Sequence, residues 1–338
     1  ATHNVAVGSD ALQDITTGDD NVAIGSSALL NITTGIGSVA IGRQAGDAVT
    51  TQDSLTLVGK SAGSAINDNG ANGTVAVGES ALLVLTSGGS NTAIGFESQK
   101  FQSDGSNNTT LGFKSLRNAD NGESDNVVIG KEAGMNINHA SADENVIIGS
   151  NAGTGGTAPL SKSVAIGANA MNSTGGNTIT GAVAIGHDAL ASLTSGSGNL
   201  AVGMNAGDVI TTGSNNTIIG HNADVDANSR AGCIIIGSGL SLNTASDNVV
   251  EIGNDTNSMT YDLDGGDITV TSDVRTKKNI KDTKLGLEFI NKLRPVTYQT
   301  KSSSGYPKEF GIQNPSKKSS GKTWDGLIAQ EVKQVMDE

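Results

Sequence analysis

The 338-residue sequence is poor in aromatic residues, cysteine and proline. Phe, Tyr and Trp make up 3% of the chain, too little for the core of an ordinary globular domain. The single cysteine, Cys233, excludes a disulfide framework within the chain. No apolar run approaches the length of a membrane span, so we expect no membrane insertion.

Basic residues are also scarce before residue 272. Residues 1–271 carry 8 Lys and Arg against 26 Asp and Glu, whereas residues 272–338 carry 13 against 8. Because phosphate binding needs Lys and Arg, the acidic region excludes nucleic acid as its partner, and the scattered lysines after residue 272 do not form a nucleic-acid patch. The only Trp and three of the four Pro also lie beyond residue 272. We therefore predict a domain boundary there.

What the sequence does contain is 46 Gly and a repeat of 16 to 19 residues, most often 17. The residue before each repeat glycine is Val, Ile or Leu, and the residue three before it is β-branched except at Leu200. This pattern predicts a short strand that ends in a sharp turn. The fifteen repeat glycines are Gly8, Gly25, Gly42, Gly59, Gly78, Gly95, Gly112, Gly130, Gly149, Gly167, Gly186, Gly203, Gly220, Gly237 and Gly253.

A period of about 17 residues fits one coil of a β-solenoid. We expect stacking to join the aliphatic residues into one narrow core, in a rod of roughly 70 Å at about 4.8 Å per coil. Asn lies four residues before the glycine in eight units, which predicts a ladder of hydrogen-bonded amides. Ala lies three residues after it in eleven units, where backbones approach closely. Because one aliphatic column is a thin core, we expect self-association around a three-fold axis to bury the second face.

Units such as residues 21–29 (NVAIGSSAL) and 163–167 (SVAIG) resemble the head repeats of trimeric autotransporter adhesins. The resemblance covers residues 4–257 and implies a mainly β protein, a trimeric left-handed parallel β-roll of about fifteen coils. Repeats with longer turns, like these, also occur in bacteriophage tail fibres. Residues 1–257 are therefore predicted to form a shaft or head. Residues 258–271 are predicted to form a connecting hairpin that turns at Gly265-Gly266.

Few residues of the repeat region suggest a binding or catalytic site. His187 and His221 both follow a repeat glycine, but this position also holds Ser, Arg, Lys and Glu, so we expect it to face solvent and we predict no metal or cofactor site. Three Phe residues lie close in sequence to three cations: Phe96, Phe101 and Phe113, with Lys100, Lys114 and Arg117. They indicate either local packing of longer loops or a contact surface for a receptor or a neighbouring fibre segment.

The residues after 272 predict a small α+β module. Apolar residues between Leu285 and Leu293 predict a helix that ends before Pro295, and residues 296–298 predict a strand. A second helix is predicted from the segment 326–332 (GLIAQEV) to the end of the chain.

Three motifs in this module resemble the C-terminal intramolecular chaperone of endosialidase-type phage tailspikes and fibres. They are SDxRxK at 272–277, Leu287 with LRPVxY at 293–298, and GLIAQEV at 326–332. Members of that family trimerise a fibre, guide its folding and then cut themselves off. Family members continue past the helix that begins in the GLIAQEV motif, so the resemblance implies that the domain formed by residues 272–338 is truncated.

The same resemblance implies catalytic roles for Ser272 and Lys277. Ser272 acts as the nucleophile on the preceding carbonyl, Lys277 acts as its base, and the cut falls between Thr271 and Ser272. A lysine can remove the hydroxyl proton if burial lowers its pKa. This single-turnover self-cleavage is the only enzymatic activity expected.

We therefore interpret the chain as a homotrimeric phage tail fibre, a virion protein that acts outside the cell. Its expected partners are its own copies, other tail or baseplate proteins, and a host surface receptor or glycan. The alternative is a bacterial trimeric surface adhesin, which predicts a C-terminal membrane anchor. A tailspike hydrolase is a third class, but the repeats lack the aromatic residues that line sugar-cleaving grooves.

Overall fold

The structure is a computed structural model that describes residues 1–120, 122–156, 158–242, 245–263, 287–299 and 323–337. The chain divides into two compact units, residues 1–267 and 268–338. No helix in the described ranges is both long and apolar enough to cross a membrane.

The first unit is a β-solenoid of about 14 turns, which confirms the predicted fold class. Fifteen strands, one before each repeat glycine, pair in parallel and in register, so that each repeat stacks on the equivalent residues of the next. The strands are β1 Val5–Val7, β2 Val22–Ile24, β3 Val39–Ile41, β4 Thr56–Val58, β5 Val75–Val77, β6 Thr92–Ile94, β7 Thr109–Leu111, β8 Val127–Ile129, β9 Val146–Ile148, β11 Val164–Ile166, β13 Val183–Ile185, β14 Leu200–Val202, β15 Thr217–Ile219, β16 Ile234–Ser238 and β17 Val249–Asn254.

The remaining elements of this unit lie between or after these strands. A 3₁₀ turn spans Asn69–Ala71, and two short strands, β10 Leu160–Ser161 and β12 Ile179–Thr180, pair in parallel in longer connections. Strand β18, Ser258–Asp262, closes the sheet by pairing antiparallel with β17. A hairpin therefore follows the last repeat, and its turn lies at residues 255–257. The predicted turn at Gly265-Gly266 lies outside the described residues.

The repeat glycines are required for both conformation and stacking. All fifteen have φ between 132° and 153°, a region that only glycine adopts without strain. A Cβ on Gly186 would lie 2.3 Å from the carbonyl oxygen of Gly203 in the next coil. A side chain at this position would therefore collide with backbone.

The predicted amide ladder is present and buried. In the run from Asn91 to Asn145, each side-chain oxygen accepts from the backbone N–H of the equivalent residue in the next coil. Asn126 shows the full pattern: its Nδ2 donates to Asn108 Oδ1 at 3.1 Å and to the Ala142 carbonyl at 3.0 Å, and its Oδ1 accepts from Asn145 Nδ2 at 2.9 Å. The ladder thus satisfies polar groups that water cannot reach.

The core uses a different face of the strand from the one the sequence predicted. The buried strand residue is the middle one, two before the glycine and most often Ala, as at Ala23 and Ala40. It packs with the buried Ala three residues after the glycine and with larger side chains such as Leu29 and Ile32. The two residues that flank it in every strand, aliphatic except for four threonines, point outward and are half-exposed or exposed. They form a continuous row, which we call the aliphatic stripe.

The second unit has two helices and a two-stranded sheet in its described part. Helix α1 spans Leu287–Lys292 and α2 spans Ala329–Asp337, and strand β19, Val296–Gln299, pairs antiparallel with β20, Thr323–Gly326. The two predicted helices and the strand at residues 296–298 are confirmed. Strand β20 had not been predicted.

Candidate functional site

Ser272 and Lys277, the residues expected to cleave the chain, lie outside the described residues. Their proximity and the cut between Thr271 and Ser272 therefore stay predictions. The geometry of the second unit is described for the other two motifs of the resemblance, 293–298 and 326–332.

These two motifs meet in space. Strand pairing sets Val296 opposite Gly326, and a Cβ on Gly326 would lie 3.2 Å from the Tyr298 ring, which explains the small residue there. Arg294, just after α1, forms a two-point ion pair with Glu331 of α2, in which Nε donates to Oε2 at 3.1 Å. Hydrogen bonding from Arg294 lowers the pKa of Glu331. The two motifs thus join α1, the sheet and α2 into one unit.

A shallow depression of about 10 Å³ lies beside this ion pair. It is smaller than the roughly 300–1,000 Å³ that typical ligand sites occupy, and an exposed Arg–Glu pair crosses it. Its lining holds no Ser, Thr or Cys, and its single carboxylate, Glu331, is already paired with Arg294, so we assign no active site here. Its lining residues are Lys292, Leu293, Arg294, Leu327, Ile328, Glu331 and Val332.

On the solenoid, His187 and His221 are exposed as predicted. The Nδ1 atom of His187 lies 2.8 Å from Asp188 Oδ2, which is a surface contact within one coil. Among the described residues, no group of three or more His, Cys, Asp or Glu side chains is placed to hold a metal ion.

The three Phe residues and their neighbouring cations form two groups of contacts that are joined through the consecutive residues Phe96 and Glu97, and together we call them the aromatic–cationic cluster. The rings of Phe96 and Phe113 stack with centroids 5.5 Å apart and planes 11° from parallel. The Phe101 and Phe113 rings also have cations near them, at 4.8 to 5.3 Å from the centroid. The cluster consists of Phe96, Glu97, Lys100, Phe101, Phe113, Lys114 and Arg117.

Glu97, which the sequence had not indicated, organises the cations. One carboxylate oxygen lies 2.7 Å from Lys100 Nζ and the other lies 2.7 Å from Arg117 Nε. Hydrogen bonds from Lys100 and Arg117 lower the pKa of Glu97, so its carboxylate stays charged. Lys114 contacts the Phe113 ring and has no carboxylate partner within the described residues. The rings are nevertheless 37–41% exposed.

The interior of these coils is polar. Residues Ser98, Gln99 and Gln102 are fully buried at the positions that hold Ala81, Leu82 and Leu85 in the preceding coil. Neither amide atom of Gln99 has a hydrogen-bond partner among the described residues. As a result, the apolar core divides into two clusters, residues 12–93 and 116–249. The sequence has Gln99 where the neighbouring coils have Leu82 and Leu116. Aligning the repeats on their buried positions would have revealed this difference.

A second polar feature of the interior is Asp224. Its side chain is buried beside that of Asp208 and accepts from the backbone N–H groups of Val209 at 2.8 Å and Val225 at 2.7 Å. Burial and the neighbouring Asp208 carboxyl raise the pKa of Asp224 to about 8. Burial therefore favours the neutral, protonated form of Asp224.

Comparison with known proteins supports the interpretation of the second unit. Residues 272–338 match the protein family described as chaperone of endosialidase. No curated protein and no solved structure matches the chain. The match covers the C-terminal segment alone and contains all three motifs that carried the resemblance.

Proposed function

We propose that this chain is the subunit of a homotrimeric bacteriophage tail fibre. The β-solenoid would be the shaft or head that reaches the host surface, and residues 272–338 would be the intramolecular chaperone that assembles three copies. The observation that carries this proposal is the combination of a chaperone-of-endosialidase segment with a long solenoid whose aliphatic stripe is half-exposed or exposed among the described residues.

The aliphatic stripe supports self-association energetically. Val, Ile, Leu and Thr fill its positions in all fifteen strands, and side chains such as Ile41, Ile185 and Ile252 are 38–42% exposed. Covering each half-exposed aliphatic side chain contributes about 1 kcal/mol. Summed along the stripe, the gain exceeds the roughly 4–15 kcal/mol that association costs. A partner that repeats about every 4.8 Å, as another copy does, can cover the whole stripe.

The trimeric state comes from the resemblance to trimeric adhesin heads and fibre chaperones. It is tested by multi-angle light scattering of the full chain with an Ile185→Asp, Ile219→Asp variant, which puts charge in the stripe. We expect a trimer for the wild type, and monomer or aggregate for the variant. Ser173→Asp, which adds a negative charge in an exposed loop, is the control and stays trimeric. A stable wild-type monomer would refute the proposal.

The chaperone role includes the predicted self-cleavage. Intact-mass analysis of the wild type should show a cut between Thr271 and Ser272, whereas Ser272→Ala and Lys277→Ala chains stay whole. A trimer that remains uncut would retain the fibre proposal and remove the cleavage step. Adsorption of the purified trimer to a panel of bacteria tests attachment itself.

A further inference from the structure

The aromatic–cationic cluster is the part of the solenoid that departs most from its repeat. All three aromatic residues of region 1–257 lie in it, and so do three of the eight Lys and Arg residues of region 1–271. Its side chains carry two net positive charges, from three cations and Glu97, on a region whose net charge is −18. A distribution this uneven is not required for stacking, since the other coils stack without it.

The cluster is also arranged against local stability. A ring recruited for packing would replace Leu in the interior, but here Gln99 and Gln102 occupy the interior and the rings lie outside. The coil thus leaves buried amide atoms without hydrogen-bond partners among the described residues while exposing its aromatic residues. Local rules broken in this way typically mark functional sites.

Its size and rigidity define the kind of partner. A Phe side chain has roughly 150–250 Å² of surface, so three rings at about 40% exposure present roughly 250 Å². A protein partner covers about 800 Å² per side, which is far more. Glu97 holds Lys100 and Arg117 in place, and these side chains are only 18% and 24% exposed, so little entropy is lost on binding.

We propose that the aromatic–cationic cluster binds an acidic polysaccharide. This inference rests on the proposed attachment function and names its ligand class. The apolar faces of two or three sugar rings would contact the exposed Phe edges. Carboxylate or phosphate groups would pair with Lys114, the cation that no carboxylate neutralises within the described residues, and with Nη2 of Arg117, whose Nε and Nη1 donate to Glu97 and Asn118. Three copies on one fibre would add avidity to weak single sites.

The test is calorimetric binding of polygalacturonate fragments to the full-length fibre at physiological salt, with neutral dextran as the polymer control. We expect binding of the former only. Lys114→Gln should weaken it roughly fivefold and flatten its salt dependence. Phe96→Ser with Phe113→Ser should weaken it by about tenfold or more. Lys162→Gln, the same charge change on an exposed lysine far along the chain, should leave it unchanged.

Three results would overturn the inference: no binding of polygalacturonate, equal binding of dextran, or equal affinity in the Lys114→Gln variant. Equal binding of poly-glutamate peptide would assign the cluster to an acidic protein instead and would also overturn it. Circular dichroism checks that each variant is folded. Adsorption to cells separates the two claims: cluster variants that adsorb as well as the wild type refute the glycan site alone, whereas a wild type that adsorbs to no bacterium refutes the attachment function.

Discussion

Substitution of a repeat glycine measures how strongly the stacking of coils depends on the bare backbone. Gly186 has φ 138°, and an added Cβ would lie 2.3 Å from the oxygen and 2.6 Å from the carbon of the Gly203 carbonyl. Five residues earlier, Gly181 has φ 67°, and nothing lies within 4 Å of the point that a Cβ would occupy there. The two glycines belong to the same coil and differ in what surrounds them. They therefore form a matched pair.

The expected costs follow from these two environments. Gly181→Ala should lose about 1 kcal/mol, the cost of a left-handed conformation for alanine. Gly186→Ala adds backbone strain in a region that excludes side chains, and it displaces a neighbouring backbone that cannot rotate away. Together these effects cost roughly 3–5 kcal/mol. The loss is large because the contact is with main chain rather than with a flexible side chain.

Urea unfolding followed by circular dichroism compares the two variants with the wild type. Hydrogen exchange of the amides in β13 and β14 then shows whether the loss is local to the interface between these coils. Equal midpoints for Gly186→Ala and Gly181→Ala would refute the reasoning, because the difference in crowding would then have no energetic effect. A midpoint for Gly186→Ala equal to that of the wild type would refute it as well.

Three further perturbations test the interior of the solenoid. Asn126→Ala should cost about 3 kcal/mol in urea unfolding, because it removes the partners of the Ala142 carbonyl, the Asn145 backbone N–H and the Asn145 side-chain amide in the interior. The partly exposed Asn118→Ala should cost less than about 0.5 kcal/mol. Gln99→Leu should raise the unfolding midpoint, since it restores the apolar residue found in adjacent coils and removes two unpaired amide atoms; a lowered midpoint would contradict this. The contribution of Asp224 to stability should fall as the pH rises from about 4 to 8, because the unfolded chain releases its proton near pH 4 while the folded chain holds it to about 8. The Asp208→Asn variant should show a smaller fall when melting temperatures are measured across this pH range. An unchanged pH profile in that variant would contradict this reasoning.

The period and the type of fold could be predicted from the sequence because only glycine fits the backbone conformation and the close contact between coils at each repeat glycine. Val, Ile or Leu before Gly186 and its equivalents indicated a strand, and Asn126 and its equivalents indicated a ladder. Both proved correct because each depends on a single position repeated in register. The second unit was predicted through its motifs, and the structure brings Arg294 and Glu331 of two of those motifs into contact.

The inward face of the strand could not be predicted from hydrophobicity. Ile24 and Val22 are larger and more apolar than Ala23 between them, yet Ala23 is the buried residue. A coil of 17 residues encloses a narrow column, and side chains from the opposite turn, such as Leu29, already occupy most of it. The strand can then contribute only a small residue, and its larger side chains turn outward. Judged by hydrophobicity alone, the residues of the aliphatic stripe were therefore predicted to lie in the core, whereas they lie on the outer surface of the solenoid.

The interior volume of each coil is shared between the strand and the opposite turn. Where the buried strand residue is Ala23, the turn supplies Leu29; where it is Leu57, the turns around it carry Gly46 and Gly63. A Cβ on either glycine would lie 2.6–2.8 Å from a methyl group of Leu57, so the large residue and the two glycines require one another. The same exchange relates Ile147 to Gly153, where the corresponding distance is 3.1 Å. Because a coil of fixed volume tolerates substitution only in such pairs, its outward residues are the ones left free to vary, and the aromatic–cationic cluster can arise in two adjacent coils without interrupting the sheet.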